Sequence, residues 1–478
     1  MVFSSEVFLF AFLPSVLVLS LLVPGIRAKN VVLVVASAIF YAWGAGRFVA
    51  LVLVSAVLNY AFGRALGALP GGPTRARRAV LALAVAVDLG ILIAFKYAAF
   101  FAASFAAATH GAAALFGTAM APLVLPLGIS FFTFHAISYV VDVYRRTVEA
   151  RRDPVAILLY FTFFPQLIAG PIVRYKDIAA QLGERAVTVA GFAWGARRFV
   201  VGLGKKVLIA NTLGACVDAV FAAPPGESSR ALLWFAMAAY TLQIYFDFSG
   251  YSDMAIGLAR MFGFRFLENF DFPYVAGSMT AFWQRWHISL SRWFRDYLYI
   301  PLGGNRGGAA ATYRNLIVVF LLCGFLHGAN WTFVVWGALH GTLLILERIG
   351  ALRFLTGTPI LRHAYALSAI VLTFLVFRSE SLGYAAAYLR GLVVPGTAPR
   401  LHFWSTVTHE TAIAFALGCL FATPLVARFV AARAERSSGP VRATFGVGLI
   451  PATLVAIVVM ATMKIAAGTY NPFIYFRF

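Results

Sequence analysis

Two histidines stand in an unusually apolar part of the sequence. The stretch GFLHGANWTFVVWGALHG, residues 324–341, contains His327 and His340 but no acidic residue, lysine or arginine. A histidine at lipid depth costs free energy unless it faces the interior of a helix bundle or an aqueous cavity. Each of these histidines therefore requires a structural or a chemical explanation.

A neutral imidazole can take the proton from a hydroxyl group, or it can relay protons in a transporter. Other chemistries lack their motifs. GYSDM has no second glycine for a serine nucleophile elbow, GLGKKV has neither the spacing nor the hydroxyl of a P-loop, and HETAI has no second histidine for a zinc helix. The three cysteines show no paired spacing, so we expect no disulfide framework and no metal site.

The two histidines differ in what surrounds them. Glycine pairs four residues apart, a spacing that lets helices approach closely, flank both, and we expect His340 to serve helix packing. His327 is followed by Asn330 and Trp331, which indicate a broken helix end that opens onto a cavity. A helix that starts after Arg314 on the cytoplasmic side would carry His327 about 20 Å into the membrane. A further apolar histidine, His135, is expected to serve packing.

Polar residues also interrupt the segment FWQRWHISLSRWFRDYLYIPLGGNRGG, residues 282–308. The segment has too many polar residues for a helix that faces lipid, and too many aromatic residues for a solvent-exposed loop. It fits an interfacial amphipathic helix or a re-entrant element that lines a polar cavity. Upstream, IYFDFSGYSDMAIG places Asp247 and Asp253 in a continuing apolar run, and Asp247 is a candidate partner for a histidine.

The composition places these residues in a membrane. Of the 478 residues, 61% are hydrophobic and only 12% are charged, and the mean hydropathy is +0.84, which together indicate a polytopic membrane protein. Apolar runs recur from residues 7–23 to residues 447–463, but several are shorter than the ~20 residues of a full crossing. We therefore expect about 11 to 13 membrane segments, some of them short or re-entrant. No cleavage site follows the first run, which we expect to stay as an anchor.

The net charge of +21 is not read as a nucleic-acid signal, because the cations cluster between the apolar runs. By the positive-inside rule these loops are cytoplasmic, whereas the connections near Gly44, His110 and Pro224 are poor in cations and lie outside. The remaining basicity can attract an acidic cytoplasmic donor, such as a coenzyme phosphate or an acidic carrier protein.

With these residues in view, the chain resembles the membrane-bound O-acyltransferase (MBOAT) family, most closely its bacterial branch that serves alginate O-acetylation. Eight blocks in the same order carry the resemblance: MVFSSEVFLFAFLP, SAIFYAWG, PLGISFFTFHAISYVVDVYR, FFPQLIAGPIVRY, YFDFSGYSDMAIGLARMFGF, FWQRWHISLSRWFRDYLYIPLGGNR, CGFLHGANWTFVVWGALHG and YNPFIYFRF. They cover nearly the full chain.

The resemblance implies an all-α polytopic fold, with a multi-helix core and a central tunnel, in a single integral-membrane domain over residues 1–478. We expect N-terminal helices in residues 1–143, the catalytic core in residues 144–350 and C-terminal helices in residues 351–478. The family's activity is acyl transfer to a hydroxyl, with His327 matching its catalytic histidine and His287 its second active-site polar residue. The expected substrate-binding residues are Asn330, Arg285, Trp286, Asp253 and Gln284.

The resemblance also implies an acyl thioester donor on the cytoplasmic side, either acetyl-CoA or an acyl carrier thioester, and no tightly bound cofactor. The acceptor is expected to be an extracytoplasmic glycan, reached directly or through a periplasmic or membrane-tethered acetyltransferase partner. The expected location is the bacterial inner membrane. Two alternatives stay open: D-alanyl or other acyl transfer to a cell-wall polymer, and a non-enzymatic transporter that uses its buried histidines as proton relays.

Overall fold

The protein is described from a computed structural model that covers residues 1–109, 124–394, 396, 399–436, 448–468 and 470–471. The external connection expected at His110, and all but the first two residues of the terminal block YNPFIYFRF, lie outside the described residues. Within the described ranges the chain forms helices and no β-strand, with one isolated bridge between Ser228 and Leu401. The chain is thus an all-α protein, as predicted.

Twenty-two α-helices occupy the described ranges. The first eleven are α1 Leu13–Leu22, α2 Ile26–Ala45, α3 Val49–Ala68, α4 Arg75–Leu92, α5 Ala98–Ala108, α6 Ile129–Arg145, α7 Pro154–Thr162, α8 Phe164–Leu167, α9 Tyr175–Ile178, α10 Val189–Gly204 and α11 Asn211–Ala222. The others are α12 Arg230–Met261, α13 Met279–Trp283, α14 Ile288–Phe294, α15 Gly308–His327, α16 Trp331–Arg348, α17 Pro359–Arg378, α18 Leu382–Val393, α19 Phe403–Thr406, α20 His409–Phe421, α21 Leu425–Arg436 and α22 Ile450–Ala466. Four π-helical segments adjoin them: Val7–Phe12, Ile93–Tyr97, Lys205–Ala210 and Arg295–Tyr299.

Six helical stretches in the described ranges are long and apolar enough to cross a bilayer, and a seventh results if the bent pair His409–Phe421 and Leu425–Ala432 is one span. Val7–Leu22 and Ile450–Ala466 are shorter apolar helices. The protein is therefore a multi-pass membrane protein, as the composition predicts. The larger number of 11 to 13 segments, which includes short and re-entrant ones, stays a prediction.

One compact unit comprises Met1–Gly195, Leu258–Leu267 and Trp293–Leu298. Its helix α6 packs against α3, α4 and α7 and carries His135, which is fully buried beside Tyr160 with ring centroids 5.4 Å apart. The Tyr160 hydroxyl bonds to the Ser138 hydroxyl at 2.8 Å and to the backbone oxygen of Val173 at 3.0 Å. His135 is thus a core residue, in agreement with its predicted packing role.

Ion pairs hold the segment Trp293–Leu298 within this unit. The Asp296 carboxylate accepts hydrogen bonds from Arg174 at 2.5 Å and from Lys176 at 3.0 Å. Burial acts to raise the pKa of Asp296, but the hydrogen bond from Lys176 and the charges of Lys176 and Arg174 outweigh it and leave that pKa below its usual value. The neighbouring Tyr297 donates to Asp142 at 2.9 Å.

The second compact unit comprises Ala196–Gly257, Glu268–Arg292 and Tyr299–Phe478. Its core includes the antiparallel hairpin of α15 and α16, where glycines face main-chain atoms of the other helix. A Cβ atom on Gly324 would overlap the carbonyl oxygen of Phe333, and one on Gly337 would overlap that of Phe320. The glycine spacing therefore predicted this close helix contact correctly.

Charged residues also lie inside the second unit. Lys206 and Asp247 form an ion pair at 2.5 Å with side chains only 4% and 3% exposed. Asp253 accepts from Arg198 and Lys205, both at 2.7 Å, and Arg198 also pairs with Glu268. Asp247 and Asp253 thus each have a cationic partner, which offsets the cost of burying a charge in a low-dielectric interior.

Candidate active site

His327 is the last residue of α15, and Asn330 caps the start of α16. The Asn330 side-chain oxygen accepts from the backbone N–H of Thr332 at 3.1 Å, and its amide nitrogen donates to the backbone oxygen of Glu380 at 3.0 Å. The helix break that the sequence indicated after His327 is therefore confirmed. The predicted start after Arg314 is wrong: α15 begins at Gly308, because the alanines that follow favour helix.

The His327 ring is half-buried and has a defined orientation. Its Nδ1 lies 2.6 Å from the backbone oxygen of Cys323, which can only accept a hydrogen bond, so Nδ1 carries the proton. In the neutral ring the lone pair then resides on Nε2. Trp336 and Phe377 flank the imidazole, with ring centroids 5.1 and 5.4 Å away. Such a ring is oriented to accept a proton at Nε2.

His287 is buried in the connection between α13 and α14 and has an unusual backbone conformation. Its φ of 44° lies in the left-handed region, which residues with a side chain rarely adopt. Nδ1 lies 3.1 Å from the side-chain oxygen of Asn269, and the Phe248 ring meets the imidazole edge to face at 4.6 Å. Strain of this kind persists only where neighbouring contacts hold it, and it clusters at functional sites.

His327 and His340 share an aromatic neighbour, Trp336, whose ring centroid lies 5.1 Å from that of His327. His327 is also close enough to act electrostatically on His287 and His340. His340 is fully buried in α16 and its Nδ1 accepts from the Trp283 indole N–H at 3.2 Å. Its ring centroid lies 4.5 Å from that of Trp336. This packing agrees with the structural role predicted for His340.

The other predicted site residues have different surroundings. Arg285 forms an ion pair with Asp271 at 2.8 Å, with 37% of its side chain exposed. Gln284 is exposed, whereas Trp286 is buried in an aromatic cluster that includes Phe282 and Phe374. Asp253 belongs to the ion pairs with Arg198 and Lys205 described above. Among the predicted residues, His287 and His327 lie within electrostatic range of each other, and Asn330 holds the turn that follows His327.

Sequence reasoning did not identify the residues that position the histidines. Asn269 bonds to His287, and Trp283 bonds to His340. Glu347 of α16 accepts hydrogen bonds from the backbone N–H groups of Met279 and Thr280 at 2.5 and 3.0 Å, and so caps the helix that carries Trp283. The sequence contains one clue to the role of Glu347: it is the first acidic residue after a long apolar run. A carboxylate at the end of such a run requires a hydrogen-bond or charge partner.

The comparisons with known proteins identify a membrane-embedded acyltransferase. Residues 86–377 match the membrane-bound O-acyltransferase family, to which the chain therefore belongs. It is an O-acyltransferase that lies in the membrane.

Comparison with individual relatives shows which members of the family the chain resembles. The chain is 42% identical to a probable alginate O-acetylase AlgI of Azotobacter vinelandii, over the full length of both proteins. It is 36% identical to a peptidoglycan O-acetyltransferase of Helicobacter pylori, over 82% of this chain and 80% of that protein. It is 29% identical to a teichoic acid D-alanyltransferase of Bacillus subtilis, over 46% of this chain and 58% of that protein.

Proposed function

We propose that this protein transfers an acetyl group from a cytoplasmic thioester to hydroxyls of an extracytoplasmic polysaccharide, directly or through a partner acetyltransferase. The observation that carries the proposal is the half-buried His327 at the break between α15 and α16, whose Nδ1 is held by the Cys323 carbonyl. In that tautomer Nε2 is the ring nitrogen that would take the proton of an acceptor hydroxyl. The transporter alternative leaves family membership unexplained.

In this mechanism His327 acts as the general base. Its Nε2 takes the hydroxyl proton while the oxygen attacks the thioester carbonyl, the C–S bond breaks, and the proton passes from His327 to the leaving thiolate. Atoms and charge balance without a metal or a redox partner. General-base catalysis of this type contributes typically about 10² to 10⁴ in rate.

His287 is proposed to act beside His327 on the substrates. With Nδ1–H donating to Asn269, the neutral ring offers a lone pair on Nε2 and can hold an acceptor hydroxyl. It can donate to an oxyanion from Nε2 only after it gains a proton there. Asn330 is proposed to act through the turn it caps, because both ends of its amide are already bonded.

The relatives support a polysaccharide acceptor and an acetyl group, because the full-length relative acts on alginate and the Helicobacter protein on peptidoglycan. D-alanyl transfer is less supported, since that relative matches less than half of this chain. The cation-rich loops favour an anionic donor such as acetyl-CoA on the cytoplasmic side of the inner membrane. No nucleic acid is involved in this scheme.

The test uses the full-length protein in liposomes. Labelled acetyl-CoA is supplied on one face, and alginate or peptidoglycan oligosaccharide on the other, with and without the co-expressed partner acetyltransferase. Wild-type protein should transfer acetyl or hydrolyse the thioester, and His327→Ala should lose about 10² to 10⁴ of that rate. His363→Ala, at an exposed histidine, is the matched control and should keep it. A fully active His327→Ala protein would remove the proposed role of this ring.

A further inference from the structure

Asn269 is a fully buried amide in the connection between α12 and α13, and every polar atom of its side chain is bonded. Its oxygen accepts from the Ser289 hydroxyl at 2.8 Å and the Ser289 backbone N–H at 3.2 Å, and it lies 3.1 Å from Nδ1 of His287. Its nitrogen donates to the Ser252 hydroxyl at 3.0 Å. No motif in the sequence singles out this residue.

These contacts determine which way the amide points. The backbone N–H of Ser289 can only donate, so the atom that faces it must be the amide oxygen. The same oxygen faces Nδ1 of His287, which must therefore carry the proton. The hydrogen bonds of His287 within the described ranges all run through Nδ1, so Nε2 keeps its lone pair for another group.

Asn269 also holds the strained backbone at His287. Its own carbonyl oxygen accepts from the backbone N–H of Ile288 at 3.0 Å, and its side chain accepts from the backbone N–H of Ser289. The two residues that follow His287 are thus fixed by one asparagine. Left-handed backbone at a residue with a Cβ requires this kind of support.

We propose that Asn269 is the positioning residue of His287, which fixes both its backbone turn and its Nδ1–H tautomer and so directs the Nε2 lone pair to the reaction. The kinetic consequence rests on the proposed acetyl transfer. His327 acts electrostatically on His287 from α15. The charged residues adjacent in the chain are paired, Glu268 with Arg198 and Arg285 with Asp271.

Three variants separate positioning from a merely structural role. Asn269→Ala removes the acceptor and should lower kcat roughly 10- to 100-fold with a smaller effect on KM, as for other residues that orient a functional imidazole. Asn269→Asp keeps an acceptor but adds a negative charge, which stabilises the imidazolium. The acid limb of its pH–rate profile should move to higher pH, with activity recovered at high pH. Ser252→Ala, which breaks the other end of the amide, is the matched control and should keep the wild-type profile.

A second readout does not depend on transfer. In protein labelled with ¹⁵N-histidine, the ring nitrogens of His287, assigned from their loss in His287→Gln, should show a protonated Nδ1 and an unprotonated Nε2. Asn269→Ala should lose this preference and Ser252→Ala should keep it. An Nε2–H tautomer in the wild type, or no change in Asn269→Ala, would overturn the inference. If Asn269→Ala does not fold, the Asn269→Asp variant supplies the test. A pH–rate profile and a ring spectrum of Asn269→Asp that both match those of the wild type would also overturn the inference. The expected spectra without acetyl transfer would instead refute the proposed function alone.

Discussion

Replacing Gly324 by alanine tests whether the close contact of α15 and α16 positions His327. The added methyl group would overlap the carbonyl oxygen of Phe333 and lie 3.1 Å from the Cα of Gly337, against ordinary carbon contacts of ~3.5–4.0 Å. Because these are main-chain atoms that cannot rotate away, the helices must separate by something on the order of 1 Å. Overpacking of this kind costs about 1–3 kcal/mol, and the better helix propensity of alanine offsets about 1 kcal/mol.

The larger effect is expected on activity, because a misplacement of about 1 Å in a catalytic group can lower the rate roughly 100-fold. We expect Gly324→Ala to unfold at a lower temperature in detergent and to lose acetyl transfer to that extent. Gly90→Ala is the matched control, since a Cβ at this helical glycine of α4 meets no atom within 4 Å. It should keep its activity and its unfolding midpoint, or raise the midpoint slightly. Wild-type activity and midpoint in Gly324→Ala would refute the reasoning.

Three further predictions concern other contacts. Trp283→Phe leaves Nδ1 of buried His340 without its donor and should destabilise the protein by about 1–3 kcal/mol, measured by thermal unfolding in detergent. Lys206→Met leaves Asp247 buried without its cation, at a cost of about 3–5 kcal/mol, and the double variant with Asp247→Leu should recover most of it in the same assay. Asp296→Asn should lower the unfolding midpoint at neutral pH. That deficit should shrink as the pH falls below about 4, because a carboxylate with a lowered pKa stabilises the fold only while it is ionised.

The helix break and the helix contact could be predicted because each depends on neighbours in the sequence. An asparagine that follows a histidine and two small residues indicates an N-cap, and glycines four apart indicate a close helix approach. The start of α15 was placed seven residues late, because Arg314 was taken to mark the membrane surface while the local preference for helix continues upstream of it.

The arrangement around His287 could not be predicted, because it joins residues far apart in the sequence. Asn269 contacts His287, and Ser252 contacts Asn269. The segments that connect these residues have no periodic sequence pattern. Arg285 and Trp286 directly precede His287 in the chain, yet Arg285 pairs with Asp271 and Trp286 packs among aromatic rings. Residues that are adjacent to His287 in the sequence motif therefore do not all contact the His287 side chain. The number of membrane crossings likewise depends on short apolar helices. The sequence does not show which other helices these short helices pack against.

Helix α16 is attached at two points, at the turn after His327 through Asn330 and at the first residues of α13 through Glu347. The length of α16 is consequently part of the geometry that the proposed mechanism requires. One residue inserted between these attachments would rotate one of them by about 100° relative to the other. Natural variants of this enzyme should therefore accept changes of side chain along α16 far more readily than any change in its number of residues.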